Sequence, residues 1–525
     1  MTEHPAGTRS RRFAVEIVKP SHYDDDGYVI QWWRAFMPSN SLACLYGLTQ
    51  DVRNRRALGD DVGIEIHAYD ECHTVIPIAE IIARIRSAEA GGVVLLTGVQ
   101  SNQFPRAADM AREFRAAGIP VVVGGFHVSG CVSMLPELPA DIRALQSAGV
   151  SMFAGEAEGR LADLFGDVLR GELKPLYNYL PELPSLQGQV TPFLPREITR
   201  RYTMHTAFDS GRGCPFQCSF CTVINVQGRK SRYRDADDIE RIIRQYIAQG
   251  IDRFFITDDN MARNANWEAI FDRLIQLREG EALNIKFVIQ VDTQCHKIPG
   301  FIDKAARAGV NSVFIGIENI NPENLAACRK FQNRITEYQR VLQAWRSRGV
   351  LTIAGFILGF PADTPESIER DIRVIQQELP VDILNFVILT PLPGSADHQT
   401  LYNNRVWMEP DMNKYDMEHV TTHHARMTAD EWQKAFASAW HQYYSPEHIA
   451  TLLRRAKASG ARGRRVIWAI VAYYGSYRFE HVNSTQCGLL RRKTRTTRRP
   501  DLPRENPLLF YPTRAWEMLT TYGAL

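Results

Sequence analysis

No run in this 525-residue chain approaches the roughly 18 apolar residues that a membrane-spanning helix needs, which excludes an integral helical membrane protein. Met1 to Arg12 is polar and basic with no apolar core segment, so a secretory signal is not expected. Cysteine is sparse: nine in all, an odd number, six of them scattered singly. That argues against a disulfide framework and for a reducing, cytoplasmic setting. A net excess of one charge is lacking as well, since 62 Lys and Arg face 59 Asp and Glu. With 45% hydrophobic and 23% charged residues the composition is that of a globular protein, and the length allows about three domains.

The near-neutral total hides one uneven stretch. Residues 451–500 hold thirteen Lys or Arg and a single acid, Glu480. Such a block marks either an anionic partner or a solvated helix face. No nucleic-acid module accompanies it, so nucleic acid is not expected as a partner.

The three remaining cysteines fall within eight residues, Cys214-Pro215-Phe216-Gln217-Cys218-Ser219-Phe220-Cys221, directly after Gly211-Arg212-Gly213. Soft thiolates select zinc or an iron–sulfur cluster. A structural zinc site needs a fourth Cys or His nearby. None follows Cys221 at usable spacing, and the nearest His is His205, upstream. Three thiolates on a four-iron cube leave one iron open to a small molecule. A chance cluster of buried thiols is the bland alternative, and the scatter of the other six cysteines weakens it.

This Cys-x₃-Cys-x-Phe-Cys pattern resembles the signature of the radical S-adenosylmethionine (radical SAM) enzymes. The resemblance implies that Cys214, Cys218 and Cys221 hold a [4Fe–4S] cluster whose open iron takes the amino and carboxylate groups of SAM, with Phe220 near the adenine. It also implies an electron donor such as a flavodoxin or ferredoxin.

Upstream, residues 1–195 alternate short β-rich runs with helical patterns, which reads as βαβ units on a parallel sheet. The strands are Phe13–Val18, Ile64–Ile66, Val93–Leu96, Val121–Val123 and Ser151–Phe153; the helices are Leu42–Arg53, from Asn40-Ser41, then Ile76–Arg86, Arg106–Ala117 and one ending near Arg170. Such open sheets bind ligands beyond the carboxyl ends of their strands. Those ends carry Gly98, Gln100, Ser101 and Asn102, then Gly124, Gly125 and His127, then Gly155 and Glu156. Turn chemistry alone accounts for any single glycine; three such loops before a cysteine motif resemble the cobalamin (B12)-binding domain of the B12-dependent radical SAM branch. The resemblance implies a doubly wound, Rossmann- or flavodoxin-like domain that binds cobalamin through those residues. Asp-x-His-x-x-Gly, which supplies a lower cobalt ligand in other cobalamin domains, is missing. Gly125 stands where its Asp belongs, so His127 is expected near the corrin and not on cobalt.

The Pro-rich stretch Leu180–Arg196 reads as a linker. Residues 196–400 then offer six strands, Thr206–Phe208, Arg253–Thr257, Lys286–Val291, Ser312–Ile317, Leu351–Ile357 and Ile383–Thr390, with helices between. That resembles a partial (β/α)6 TIM-like radical SAM barrel, with the cysteine loop after its first strand. By the same resemblance Asp258, Gly316, Glu318, Gly359 and Pro361 contact SAM. On their own, Asp258 and Glu318 are ordinary caps or ion-pair partners.

Residues 401–525 read as a mainly helical, basic and aromatic region. Thr428 and Glu431 have capping-box spacing for a helix to about Tyr443, whose aromatics are expected in a core. Val466–Tyr474 is an apolar run of nine, read as a buried helix ahead of a membrane-surface segment. The chain is identified as a B12-dependent radical SAM enzyme. The resemblance implies a methyltransferase that uses a 5′-deoxyadenosyl radical and methylcobalamin on an unactivated carbon of a small molecule; the basic and aromatic content near the C-terminus points to an anionic or lipid-like substrate and to peripheral membrane contact. Oxidative cyclisation of a tetrapyrrole, a radical SAM enzyme without B12, and a non-catalytic cluster sensor or nucleic-acid binder are the alternatives, in that order.

Overall fold

The computed structural model describes residues 10–203, 206–458 and 463–523. His205 and most of the basic N-terminal stretch lie outside the described residues. Two parallel six-stranded sheets organise the chain. The first is built from β1 (Arg11–Lys19), β3 (Val62–Asp70), β4 (Gly92–Leu96), β5 (Val121–Gly124), β6 (Ser151–Ala154) and β7 (Leu176–Asn178), in the order β3-β1-β4-β5-β6-β7. A further strand, β2 (Gln31–Ala35), stands apart from it. Every pair in the sheet is parallel. Val93 to Leu96 and Val121 to Val123 are buried because helices cover both faces. Along β1, Phe13, Val15 and Ile17 join Leu42, Val52 and Phe165, whereas Ala14 and Val18 join Ile81, Phe104 and Ile142 in a second core. Alternation at period two thus produces the expected doubly wound sheet of flavodoxin-like order.

The second sheet holds β8 (Thr206–Phe208), β9 (Arg253–Ile256), β10 (Lys286–Val291), β11 (Val310–Glu318), β12 (Leu351–Leu358) and β13 (Ile383–Ile388), neighbours in sequence order with β8 and β13 at the edges. These are the six strands read from the sequence. Phe254, Phe287, Val313, Ile353 and Phe386 meet Ile242, Phe271 and Trp345 of the surrounding helices in one core.

The helix Ala429–Tyr443 closes this sheet. Thr428 Oγ1 accepts from the Glu431 N–H at 3.2 Å, and the Glu431 carboxylate accepts from the Thr428 N–H at 2.8 Å, the reciprocal pair of a capping box. Trp432, Phe436, Trp440 and Tyr443 lie in the sheet's core, as expected. Thr428→Ala removes one half of the cap and costs about 1 kcal/mol, read as a lower urea midpoint. An unchanged midpoint would mean that the aromatic face alone holds the helix.

The segment after it divides. Gly463–Ile470 buries Val466 and Ile470 but exposes Ile467 and Trp468, at 58% for the indole. The reading of this run as a buried helix is corrected: successive residues turn by about 100°, so a contiguous apolar run cannot all face one core. Further on, β14 (Gly488–Arg492) returns to the first sheet's side of the molecule and pairs antiparallel with β2, Arg491 opposite Trp32. Four of the thirteen basic residues of 451–500 meet acids of the chain. Arg491 pairs with Asp24 at 2.9 Å, Lys493 with Asp26 at 2.9 Å, Arg499 with Asp411 at 2.6 Å and Arg498 with Glu505 at 3.4 Å. For these four, neither an outside anion nor a solvated face accounts for the charge. No helix of the described residues is long and apolar enough to cross a membrane.

Candidate functional site

The loop after β8 carries the three thiols, and Asp258 fixes its entry. That carboxylate accepts from the N–H groups of Ser210 and Gly211 at 2.7 Å each, from Ser210 Oγ at 2.8 Å and from Asn264 Nδ2 at 2.8 Å. Burial pushes its pKa up to about 6. Asp258, assigned to SAM by resemblance, therefore braces the strand end, and its neighbour Asp259 is the carboxylate whose charge reaches Cys214 and Cys221. Within the loop the Cys214 N–H donates to Gly228 O at 3.2 Å and the Ser219 N–H to Cys328 O at 2.9 Å. Cys218 is buried; Cys214 and Cys221 are half-buried. Burial first, then Asp259, pushes the Cys221 thiol up to about 12, and burial raises Cys214. The thiols thus hold their protons until a metal displaces them. Among the described residues no three His, Cys, Asp or Glu side chains are arranged to hold a single metal ion. Three soft donors on one loop, without a fourth, fit an iron–sulfur cluster.

A second wall rises opposite. Glu318 ends β11 with a left-handed φ of +63° at a register shift, an uncommon conformation for a non-glycine residue and one that clusters at functional sites. Its carboxylate pairs with the Lys330 ammonium, which lies 5.7 Å from the centre of the Phe220 ring. Burial alone lowers the Lys330 pKa; Glu318 outweighs it and keeps the amine charged. Gln332 Nε2 donates to Cys218 Sγ at 3.5 Å, and Asn333 Nδ2 donates to the carbonyls of Gly316 and Ile317 at 3.0 and 2.6 Å. The structure thus gathers Phe220, Gly316 and Glu318 around Cys218 and adds Lys330, Gln332 and Asn333, which carry no motif in the sequence. Gly359 stands behind them at φ +103°, where a Cβ would lie 1.8 Å from the Trp432 ring; Pro361 is exposed.

Beyond the carboxyl ends of β4, β5 and β6 lies a cavity of about 150 Å³ that opens to solvent. Gly98, Gly124, Gly125, Gly155 and Glu156 line it, with Asn40, Ser41 and Ser129; Arg212, Val226 and Gln227 close it from the cysteine-loop side. Gly125 has φ +148°, and a Cβ there would stand 2.2 Å from Val99 N, so only glycine fits. Of the remaining predicted residues, Gln100 is exposed and Ser101, Asn102 and His127 are buried and do not line the cavity. His127 lies in the first turn of a helix, Phe126–Met134, that the sequence reading took for a turn. Its ring packs 4.2 Å from that of Phe104, and burial pushes its pKa down to about 3. His127 Nε2, Asn102 Nδ2 and His398 Nδ1 are all buried without a hydrogen-bond partner. A solvent-open cavity edged by close-approach glycines fits the close approach of backbone to a large flat ligand such as cobalamin.

Between the thiol loop and this cavity runs a buried ion network. Arg212, in the Gly-Arg-Gly before Cys214, pairs with Glu156 and Glu158 at 2.7 Å each and with Asp209 at 3.0 Å. Arg232 also holds Glu156, and Arg234 holds Asp209. The Gly-Glu-x-Glu turn after β6 is thereby pinned to the strand that leads into the cysteines. Ser133 Oγ to Asn225 O at 2.7 Å and Gln399 Nε2 to Met134 O at 2.6 Å join the same two sheets' loops.

Residues 209–375 match the Radical SAM superfamily model. Bacteriochlorophyllide d C-12(1)-methyltransferase of Chlorobaculum tepidum is 26% identical over 345 residues, 64% of this chain and 71% of that protein. Hopanoid C-2 methylase of Rhodopseudomonas palustris is 22% identical over 382 residues, 69% of this chain and 70% of its own. Among solved structures, the radical SAM methyltransferase TsrM from Kitasatospora setae, with cobalamin and a [4Fe–4S] cluster bound, shares the fold at a TM-score of 0.62 and 17% identity, over 84% of this chain and 92% of that one.

Proposed function

We propose, for a chain that belongs to the cobalamin-dependent radical SAM enzymes, that it methylates an unactivated carbon of an anionic or lipid-like small molecule. The observation that carries the reading is the juxtaposition of a three-thiol loop on a partial barrel with a glycine-edged cavity on a doubly wound sheet, joined through Arg212. When bound, the cluster and SAM supply a carbon-centred radical, and cobalamin supplies the methyl group. The chain's own residues bind and orient. Cys214, Cys218 and Cys221 ligate the cluster; Phe220, Gly316, Glu318 and Lys330 form the SAM wall, with Gly359 and Pro361 as its turn. Gly98, Gly124, Gly125 and Gly155 let backbone approach the corrin, with Gln100, Ser101, Asn102 and His127 at its edge. Asp258 and Glu156 position these two shells through Ser210, Gly211, Arg212 and Arg232. The substrate class rests on relatives whose names specify bacteriochlorophyllides and a hopanoid. Residues 1–195, 196–400 and 401–525 serve as working units, in a reducing cytoplasm with a flavodoxin or ferredoxin as donor.

The test is incubation of the anaerobically loaded enzyme with trideuteromethyl SAM, a low-potential reductant and a panel of hopanoids and chlorophyllides, followed by mass spectrometry. A product in which one hydrogen is replaced by the labelled methyl is expected. A product that has lost two hydrogens and gained no label would replace methylation by oxidative ring closure.

A further inference from the structure

The last helix, Pro507–Gly523, is inside out. Its inward side is polar. Beyond Phe510, its one fully buried residue, Arg514 donates to Arg491 O at 2.8 Å and pairs with Glu517 at 2.6 Å, and the Tyr522 hydroxyl bonds the Glu480 carboxylate at 2.5 Å. Its outward side is apolar: Leu508 is 82% exposed, Leu509 and Trp516 68% and Leu519 70%. Positions 508, 512, 516 and 519 recur at helical period, so these side chains form one stripe. Beside it, β14 is tied to the helix through Arg491 and exposes Leu489 and Leu490. Its partner β2 exposes Trp33. An exposed apolar stripe of this kind marks an interaction surface.

The patch has a cationic fringe. Arg491, Lys493, Arg498 and Arg499 are paired with acids of the chain, but the side chains of Arg492 and Arg504 are exposed and take part in no ion pair or hydrogen bond among the described residues. Arg34 lies over the Trp33 ring at 4.9 Å and is likewise free of acids.

We propose that this face docks the enzyme on an anionic lipid surface, with helix Pro507–Gly523 lying in the headgroup plane. Leu508, Leu509 and Leu519 enter the acyl boundary. Trp516 and Tyr511 sit at the depth that amphipathic aromatics prefer, and the arginines reach headgroup phosphates. A second copy of the chain fits this face less well. A two-fold contact repeats one patch on both sides and sets Arg34, Arg492 and Arg504 against their own copies. The inference goes beyond the methyl-transfer reading and does not depend on it.

Flotation of the full-length, cofactor-loaded protein tests it, with vesicles of phosphatidylcholine alone and of equimolar phosphatidylcholine and phosphatidylglycerol. The protein is expected to float with the anionic vesicles and to stay largely behind with the neutral ones. Arg492→Ala and Arg504→Ala are each expected to lower partitioning about fivefold. The quadruple variant Leu508→Ser/Leu509→Ser/Trp516→Ser/Leu519→Ser should no longer float while its circular dichroism and iron content stay unchanged. Failure of the wild type to float with either vesicle overturns the proposal, as does flotation of the quadruple variant at the wild-type level. A non-floating dimer by light scattering that the quadruple variant renders monomeric would assign the face to self-association instead.

Discussion

Cys218→Ala, purified without oxygen and reconstituted with iron and sulfide, is expected to hold almost none of the roughly four irons per chain that a Cys-ligated cube requires, and to turn over at background. Cys218 is the most deeply placed of the three thiols: it is buried, Gln332 donates to its sulfur, and the adjacent Ser219 N–H is held by Cys328 O. The nearby Cys328 thiol is buried and donates to Leu325 O at 3.5 Å. The cavity beyond β4 to β6 shares no lining residue with Cys218, so cobalamin bound by the variant should match the wild type in its visible spectrum. Iron and cobalt analysis on the same sample separates the outcomes. Loss of iron with cobalt retained is expected. Full iron in the variant would mean that Cys218 is not a ligand and that the loop's spacing misleads. Loss of both would mean that the cluster loop, through Arg212 and Val226, also shapes the corrin cavity.

The two sheets and the cysteine loop were legible in the sequence because their signals are local. Short β-branched runs between glycines locate the strands, and three thiols in eight residues have few innocent explanations. What escaped is long-range or lacks periodicity. Phe126–Met134 is a short helix whose polar residues, His127, Ser129 and Ser133, are not gathered on one face, so it shows no amphipathic pattern and reads as the tail of a Gly-Gly turn. The pairing of β2 with β14 joins residues 31–35 to 488–492, a partnership that no window of the sequence contains. Ion partners are equally hidden. The basic stretch stands alone in the sequence, yet Arg491 and Lys493 find Asp24 and Asp26, more than 460 residues away. At the site, Lys330, Gln332 and Asn333 belong to a loop with no motif, and Asp258 had a motif but spends its hydrogen bonds on the strand end. A family pattern identifies which loop matters; only packing decides which of its carboxylates faces the ligand.

Arg212→Met should destabilise the protein by about 3–5 kcal/mol at neutral pH, the usual consequence of removing one member of a buried ion cluster. The loss should concentrate on Glu158. Glu156 keeps Arg232 and Asp209 keeps Arg234, whereas Arg212 is the only cation paired with Glu158 among the described residues. Burial alone raises the Glu158 carboxyl; Arg212, by its charge and its hydrogen bond, more than offsets that and holds the pKa below the ordinary value. In the wild type this contribution is therefore fully present above the ordinary glutamate pKa near 4.3 and is lost as the pH falls through the depressed value. Without the guanidinium the sign reverses. Burial then pushes Glu158 up, the folded state binds the proton more tightly than the unfolded one, and stability falls as pH rises past about 4.3. The gap in urea midpoint between wild type and variant should accordingly widen from pH 5 to pH 8. Arg212→Met/Glu158→Gln should narrow it again, because a neutral amide replaces the stranded carboxylate. A gap that does not change with pH, or a double variant no better than the single one, would show that Arg212 acts by its bulk and not by its charge. Because the same guanidinium closes the cavity from the cysteine-loop side, the double variant also reports on function. If it recovers stability but not cobalamin binding, the seam between the sheets is held by packing and hydrogen bonds, while the guanidinium itself is needed to shape the corrin site.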